Sequence, residues 1–137
     1  MLPRDRLHGA FIDRLWATFL SGDYDTAVFQ AFKEVEVAVR TACNLTDDDF
    51  GAPLMRRAFD KNTGPLRDPE AVGPEREALA HLFAGAMGVF KNPDSHRNVA
   101  LTDASEASET IMLANLLLRI LEKRAAAMKD APAPPAV

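Results

Sequence analysis

Apolar side chains recur along this chain at helical rather than strand spacing. Between residues 5 and 20, Leu7, Phe11, Leu15 and Phe19 return every fourth position, and Ile12, Trp16 and Leu20 widen the stripe. That pattern predicts a helix buried on most sides. Ser21-Gly22-Asp23 ends it, because glycine suits the left-handed residue after a helix and Asp23 can cap the next one. A second helix over 24–44 carries Val28, Phe32, Val35, Val39 and Ala42 on one face. At about 100° per residue, Glu36 falls roughly 40° from Phe32, so a carboxylate borders or enters the apolar face and needs a partner. Arg40, four residues later in the acid-then-base order, is the local candidate.

The run Asp47-Asp48-Asp49 reads as a solvated turn and helix-capping segment, since adjacent side chains diverge too far to share a metal ion. Pro53 to Phe59 predicts a short helix, and Asp60 to Gly73, with Gly64-Pro65 and Asp68-Pro69, a loop. Gly73-Pro74-Glu75 is a helix start, with proline in the first turn and acid at the positive end of the dipole. In the fourth helix Leu79, Leu82, Phe83, Ala86 and Phe90 form one apolar face, while Ala84, Gly88 and Lys91 form a smoother one. Gly85 and Gly88 each cost about 1 kcal/mol relative to alanine inside a helix. Close packing of another backbone would offset that, from either a second subunit or another helix of the same chain. Pro93 lacks an N–H and disfavours helical geometry at Asn92, so this helix should end or kink at Lys91. Thr102-Asp103 with Glu106 starts a last helix, in which Ala107, Ile111, Ala114, Leu117, Leu118 and Leu121 continue the core to about Met128. The closing "APAPPAV" predicts a mobile tail. The expected architecture is an all-α bundle of four longer helices and one short helix, with residues 1–124 as the domain and 125–137 as the end of the last helix plus an Ala/Pro-rich tail.

Composition narrows what such a bundle can do. The 137 residues suit one domain, and 47% hydrophobic with 26% charged residues is enough apolar content for a real core. A formal charge of −4 excludes the overall positive field of a general duplex or membrane-surface binder, so any nucleic-acid site must be local. Basic residues gather at Arg56, Arg57 and Lys61 and again at Lys91 and Arg97. The lone Cys43 permits no internal disulfide and reads as packing. The charged first twenty residues do not resemble a secretory signal, and no run approaches the roughly 18 uncharged apolar residues that span a bilayer. A cytoplasmic protein that does not enter membranes is expected.

Chemistry concentrates in "GVFKNPDSHRN", residues 88–98. A lysine holds phosphate as a point charge, an asparagine positions it, and a histidine moves a proton near neutral pH. In a straight helix Lys91 and His96 lie about 140° apart, and the break at Pro93 can bring them to one pocket. These are ingredients of RNA cleavage by 2′-hydroxyl attack, which needs proton transfer and charge stabilisation but no cofactor. They are equally the ingredients of a helix-junction cap.

The stretches "GDYDTAVFQAFKEVEVAVR", "LMRRAF", "LFAGAMGVFKNPDSHR" and "LANLLLR" resemble the Ymh-like family of conserved hypothetical proteins within the HEPN superfamily of α-helical nucleotide- and RNA-processing domains, from about Leu7 to Lys123. The resemblance implies a HEPN-like bundle and a metal-independent endoribonuclease serving toxin–antitoxin or antiviral defence. Its active site would combine Lys91, Asn92 and His96 as catalytic residues, with Arg97 and Glu36 contacting substrate. It further implies a homodimer with facing motifs, RNA as substrate, and an antitoxin or other defence-system protein as partner. Lys91 departs from the superfamily motif, which has arginine there; lysine keeps the charge and loses the bidentate fork. In this reading Lys91 sits in a solvated cleft. The alternative is a non-catalytic helical module binding a nucleotide or a protein partner.

Overall fold

The computed structural model describes residues 2–91 and 103–130, and among these there are five α-helices and no strand. They are α1 (Gly9–Leu20), α2 (Tyr24–Ala42), α3 (Gly51–Ala58), α4 (Gly73–Ala86), which continues as a π-helical segment Met87–Lys91, and α5 (Ala104–Asp130). The all-α bundle of four longer helices and one short one is thus observed. The tail from residue 131 lies outside the described residues.

The second helix organises the rest. α2 packs against α5 and α1 and also meets α3 and the π segment, while α3 packs on α4. Its core stripe is as the periodicity predicts: Val28, Phe32, Val35 and Val39 are buried, with Ala42 partly so. Around it lie Phe11, Phe59 and Phe83, each fully buried and each stabilising by about 1.5–3 kcal/mol relative to exposure. Phe59 and Phe83 stack at 4.2 Å between ring centroids, joining α3 to α4. At the α1–α2 turn Gly22 takes φ +88°, and the Asp23 carboxylate accepts from the Thr26 N–H at 3.4 Å. Arg124 of α5 holds the long loop between α3 and α4 by donating to the carbonyls of Leu66 and Arg67, at 3.2 and 2.7 Å.

Four expectations need correction. The first helix does not start at residue 5. A 3-10 turn, Arg4–Arg6, precedes it, and His8 caps α1 by accepting the Ala10 N–H on Nδ1 at 3.1 Å. The stripe of α1 is also narrower, with Leu20 62% exposed at the helix end. In α4 the buried face is wider than predicted: Phe83 and Ala86 are inside as expected and Leu79 and Phe90 pack on the core, but Ala80, Ala84 and Met87 are buried too and Leu82 is 45% exposed. Ala84 fits closer to the neighbouring helices than a leucine would, and the alanine-rich sequence offers little contrast between the two faces. Finally, the acidic run does not cap α3, whose N-cap is Phe50 without a side-chain bond. Asp49 pairs with Arg57 at 2.9 Å and Asp47 lies 3.6 Å from Arg40.

Cys43 is half-buried at the end of α2. Burial pushes its thiol pKa up against a smaller opposing pull from Arg57, so it behaves as packing rather than as a nucleophile. Among the described residues no helix is long and apolar enough to cross a membrane.

Candidate functional site

The fourth helix changes character at Met87. An α-helix closes i to i+4; here the turn widens to the π form over Met87–Lys91. Gly88, with no side chain to order, adds no steric resistance to the distortion. The widened turn is anchored at both ends of its inner side, because Met87 is fully buried and Phe90 stacks on Phe32 of α2 at 5.1 Å. Distortion therefore begins earlier than the proline alone predicts, and its last described residue is Lys91.

Lys91 meets the carboxylate that the α2 periodicity singles out. Its Nζ lies 3.1 Å from Glu36 Oε2. Glu36 is 4% exposed, and a carboxylate so buried requires several donors. It has them: the Gly51 backbone N–H donates to Oε2 at 2.9 Å, and Arg40 Nη1 approaches Oε1 at 3.4 Å. The expected i, i+4 partner is present, and it is joined by two groups from distant parts of the chain. Arg40 also donates to the Asp49 carbonyl at 3.0 Å, which fixes the turn leading into α3.

Gly51 is the residue that sequence reasoning missed. Its φ of +63° is the left-handed region that side chains resist, and that conformation aims the first N–H of α3 at Glu36. A glycine directly after an acidic turn and at the start of a helix was the available signal. Phe29 is the other: its ring centroid is 5.9 Å from Lys91 Nζ, within range of a cation–π contact.

The solvated cleft expected around Lys91 is not observed, since its side chain is 15% exposed. Desolvation follows from the packing of the π segment onto α2. Of the other predicted site residues, Asn92, His96 and Arg97 lie outside the described residues. The structure therefore brings Glu36 and Lys91 together and places none of the remaining three. The second basic group, Arg56, Arg57 and Lys61, is not a free cationic patch: Arg57 pairs with Asp49 at 2.9 Å and Lys61 with Glu77 at 3.6 Å. Among the described residues, no three or more His, Cys, Asp or Glu side chains are grouped to hold a metal ion.

Of the smooth face of α4, Ala84 and Lys91 turn inward, while Gly88 and the neighbouring Gly85 are exposed. Among the described residues, a Cβ built on Gly85 or Gly88 meets nothing within 4 Å, so no described helix packs closely there. Leu82 and Val89 beside them are 45% and 54% exposed.

Fold and site together define a small all-α protein whose long second helix buries a carboxylate against a lysine at a π-helical break. The chain belongs to the family described as "Protein of unknown function (Hypoth_ymh)", whose model matches residues 5–121. No curated protein and no solved structure matches it.

Proposed function

We propose that this protein is a metal-independent endoribonuclease of HEPN type that acts in the cytosol in toxin–antitoxin or antiviral defence. The reading rests on the Lys91-Asn92…His96 motif and its resemblance to the HEPN active site. The observation that carries it is the π-helical break, which ends in a lysine whose position is set by a buried carboxylate; π distortions in helices occur frequently at functional sites. The 2′-oxygen of the substrate attacks the adjacent phosphorus as His96 takes its proton. The bond from phosphorus to the 5′-oxygen breaks, and that oxygen is protonated as it leaves. The products are a 2′,3′-cyclic phosphate and a 5′-hydroxyl. Lys91 offsets charge on the phosphoryl oxygens, Asn92 orients the substrate, and Arg97 supplies a guanidinium nearby. Glu36 acts through Lys91 rather than on the substrate, because it is buried beneath the ammonium group.

Two copies would complete such a site. The open face of Leu82, Gly85, Gly88 and Val89 suits a symmetric dimer, in which the cost of the glycines is offset by close approach of the partner helix. Light scattering at micromolar concentration should return twice the chain mass, and Gly88→Leu should return one. An antitoxin or other defence protein is the natural regulator of such an enzyme.

One observation favours a second reading, a non-catalytic helical module that binds a nucleotide or a protein partner. Lys91 is largely buried and ion-paired, as a strut between α2 and the π segment would be. Total RNA incubated with the wild type and with His96→Ala, both in the presence of chelator, separates the two. Cleavage by the wild type alone supports the enzyme; identical RNA profiles leave the module.

A further inference from the structure

The buried cluster between α2 and the π segment is not balanced in charge. Arg40, 13% exposed, and Lys91 share the one buried carboxylate of Glu36. They take different oxygens. Arg40 Nη1 stands 3.4 Å from Oε1, and Lys91 Nζ stands 3.1 Å from Oε2, which also accepts the Gly51 N–H. Two cations on one anion leave a positive charge over.

The neighbouring groups among the described residues do not cancel that excess. The Asp49 carboxylate is taken by Arg57 at 2.9 Å, so Asp49 offers Arg40 only its carbonyl, at 3.0 Å. The Phe29 ring, 5.9 Å from Lys91 Nζ, attracts the ammonium without neutralising it. Asp47 lies 3.6 Å from Arg40 Nε, but its side chain is fully exposed, and an ion pair made there is screened by water. A network that only fastens needs one cation for one buried carboxylate, since a second is desolvated with no anion to offset the cost. The excess suits an anion from outside the fold.

We infer that Arg40 is a positioning residue for the phosphodiester. By holding Oε1 of Glu36 it leaves Lys91 oriented by the carboxylate but not neutralised by it, so the ammonium keeps its charge for a phosphoryl oxygen. This role rests on the ribonuclease reading and adds the residue that lets an ion-paired lysine still attract phosphate.

The binding probe is a fluorescein-labelled 2′-O-methyl RNA strand, which is not cleaved because its nucleophile is blocked. Arg40→Gln keeps a donor for the Asp49 carbonyl and removes the charge, whereas Arg40→Lys keeps the charge and loses the fork. Arg40→Gln should weaken binding roughly 2- to 30-fold, the range for a unit charge about 8 Å from the phosphate between water-like and surface-like screening. Arg40→Lys should restore most of that loss. Asp47→Asn removes the exposed anion beside Arg40 and should tighten binding about 2-fold with an unchanged thermal midpoint. Asp48→Asn, the same change of charge on the adjacent residue, should tighten it less. If Arg40→Gln and Arg40→Lys weaken binding alike, in step with their thermal midpoints, Arg40 only fastens and the inference is overturned. Should Arg40→Gln fail to fold, the aspartate pair decides, and equal binding by the two Asn variants overturns it. Either result leaves cleavage of total RNA by the wild type, and with it the ribonuclease, intact. If the wild type neither binds the strand nor cleaves total RNA, the ribonuclease reading itself fails and this role falls with it.

Discussion

Two polar networks tie remote segments of this bundle together, and they differ in kind. At the N-terminus His8 and Asn115 form a clamp. The His8 N–H donates to Asn115 Oδ1 at 2.7 Å, and Asn115 Nδ2 donates to the Arg6 carbonyl at 3.2 Å. The His8 ring is used on both nitrogens, Nδ1 accepting the Ala10 N–H and Nε2 standing 2.6 Å from Glu122. Since Nδ1 accepts, the proton belongs on Nε2, facing the carboxylate. This clamp ties the chain before α1 to α5. At the Glu36 cluster, Lys91 of the π segment meets the buried carboxylate of α2, Nζ standing 3.1 Å from Oε2. The first network fastens elements to one another; the second also sets the position of a cation that directly precedes Asn92 in the sequence.

Substitutions should expose that difference. The largest effect belongs to Glu36→Ala, which strands a mostly buried lysine: a loss of about 3–5 kcal/mol in urea unfolding, together with loss of RNA cleavage. Asn115→Ala should cost roughly 1–3 kcal/mol by leaving the His8 N–H without its acceptor, while the Arg6 carbonyl keeps its bond from Arg119 Nη2. Unlike Glu36→Ala, it should leave the rate of RNA cleavage as in the wild type at temperatures where both are folded. Were cleavage to fall as steeply as for Glu36→Ala, the division into fastening and functional networks would be wrong. Gly51→Ala forces a side chain into the left-handed region and should cost about 1–2 kcal/mol, with the Glu36 contact disturbed in proportion. The smallest effect lies in a third region. The Asn62 and Thr63 N–H groups hold the Asp60 carboxyl below its ordinary range. The folded form thus binds that proton less readily than the unfolded chain, so the stability contributed is present above about pH 4 and lost as pH falls further. Asp60→Asn should remove that portion of the acid dependence of the unfolding midpoint, lowering the neutral-pH value slightly and leaving the low-pH value little changed.

Much of the cluster could be read from sequence because its key residue broke a pattern. Glu36 interrupts the apolar face of α2, and a carboxylate there demands donors wherever they come from. Arg40 was visible one helical turn away, and Lys91 was visible as chemistry in its own segment. That the two would meet was not, because nothing local encodes a contact between residues so far apart in the chain. Gly51 stayed hidden for a different reason: a positive φ leaves no trace in hydrophobic periodicity. The clamp was missed because the apolar stripe of α1 was extended back through His8, although Asn115, an amide inside "LANLLLR", carried the same demand for a partner as Glu36. The facing of α4 was misread since alanine and leucine compete there for the inside, and tertiary fit rather than hydrophobicity decides between them.

Lys91 is the residue on which the functional account turns, and its substitution by alanine and by arginine tests it most directly. RNA cleavage and thermal midpoint should be measured for the wild type, Lys91→Ala and Lys91→Arg. Arginine keeps the charge, can take the Glu36 carboxylate with two parallel donors, and presents a fork matched to phosphate oxygens. Lys91→Arg should therefore cleave at or above the wild-type rate with its midpoint held. Lys91→Ala should abolish cleavage and lower the midpoint, since among the described residues Glu36 then keeps Arg40 and the Gly51 N–H as donors. A Lys91→Ala protein that is less stable yet cleaves RNA like the wild type would contradict the account and leave Lys91 a strut.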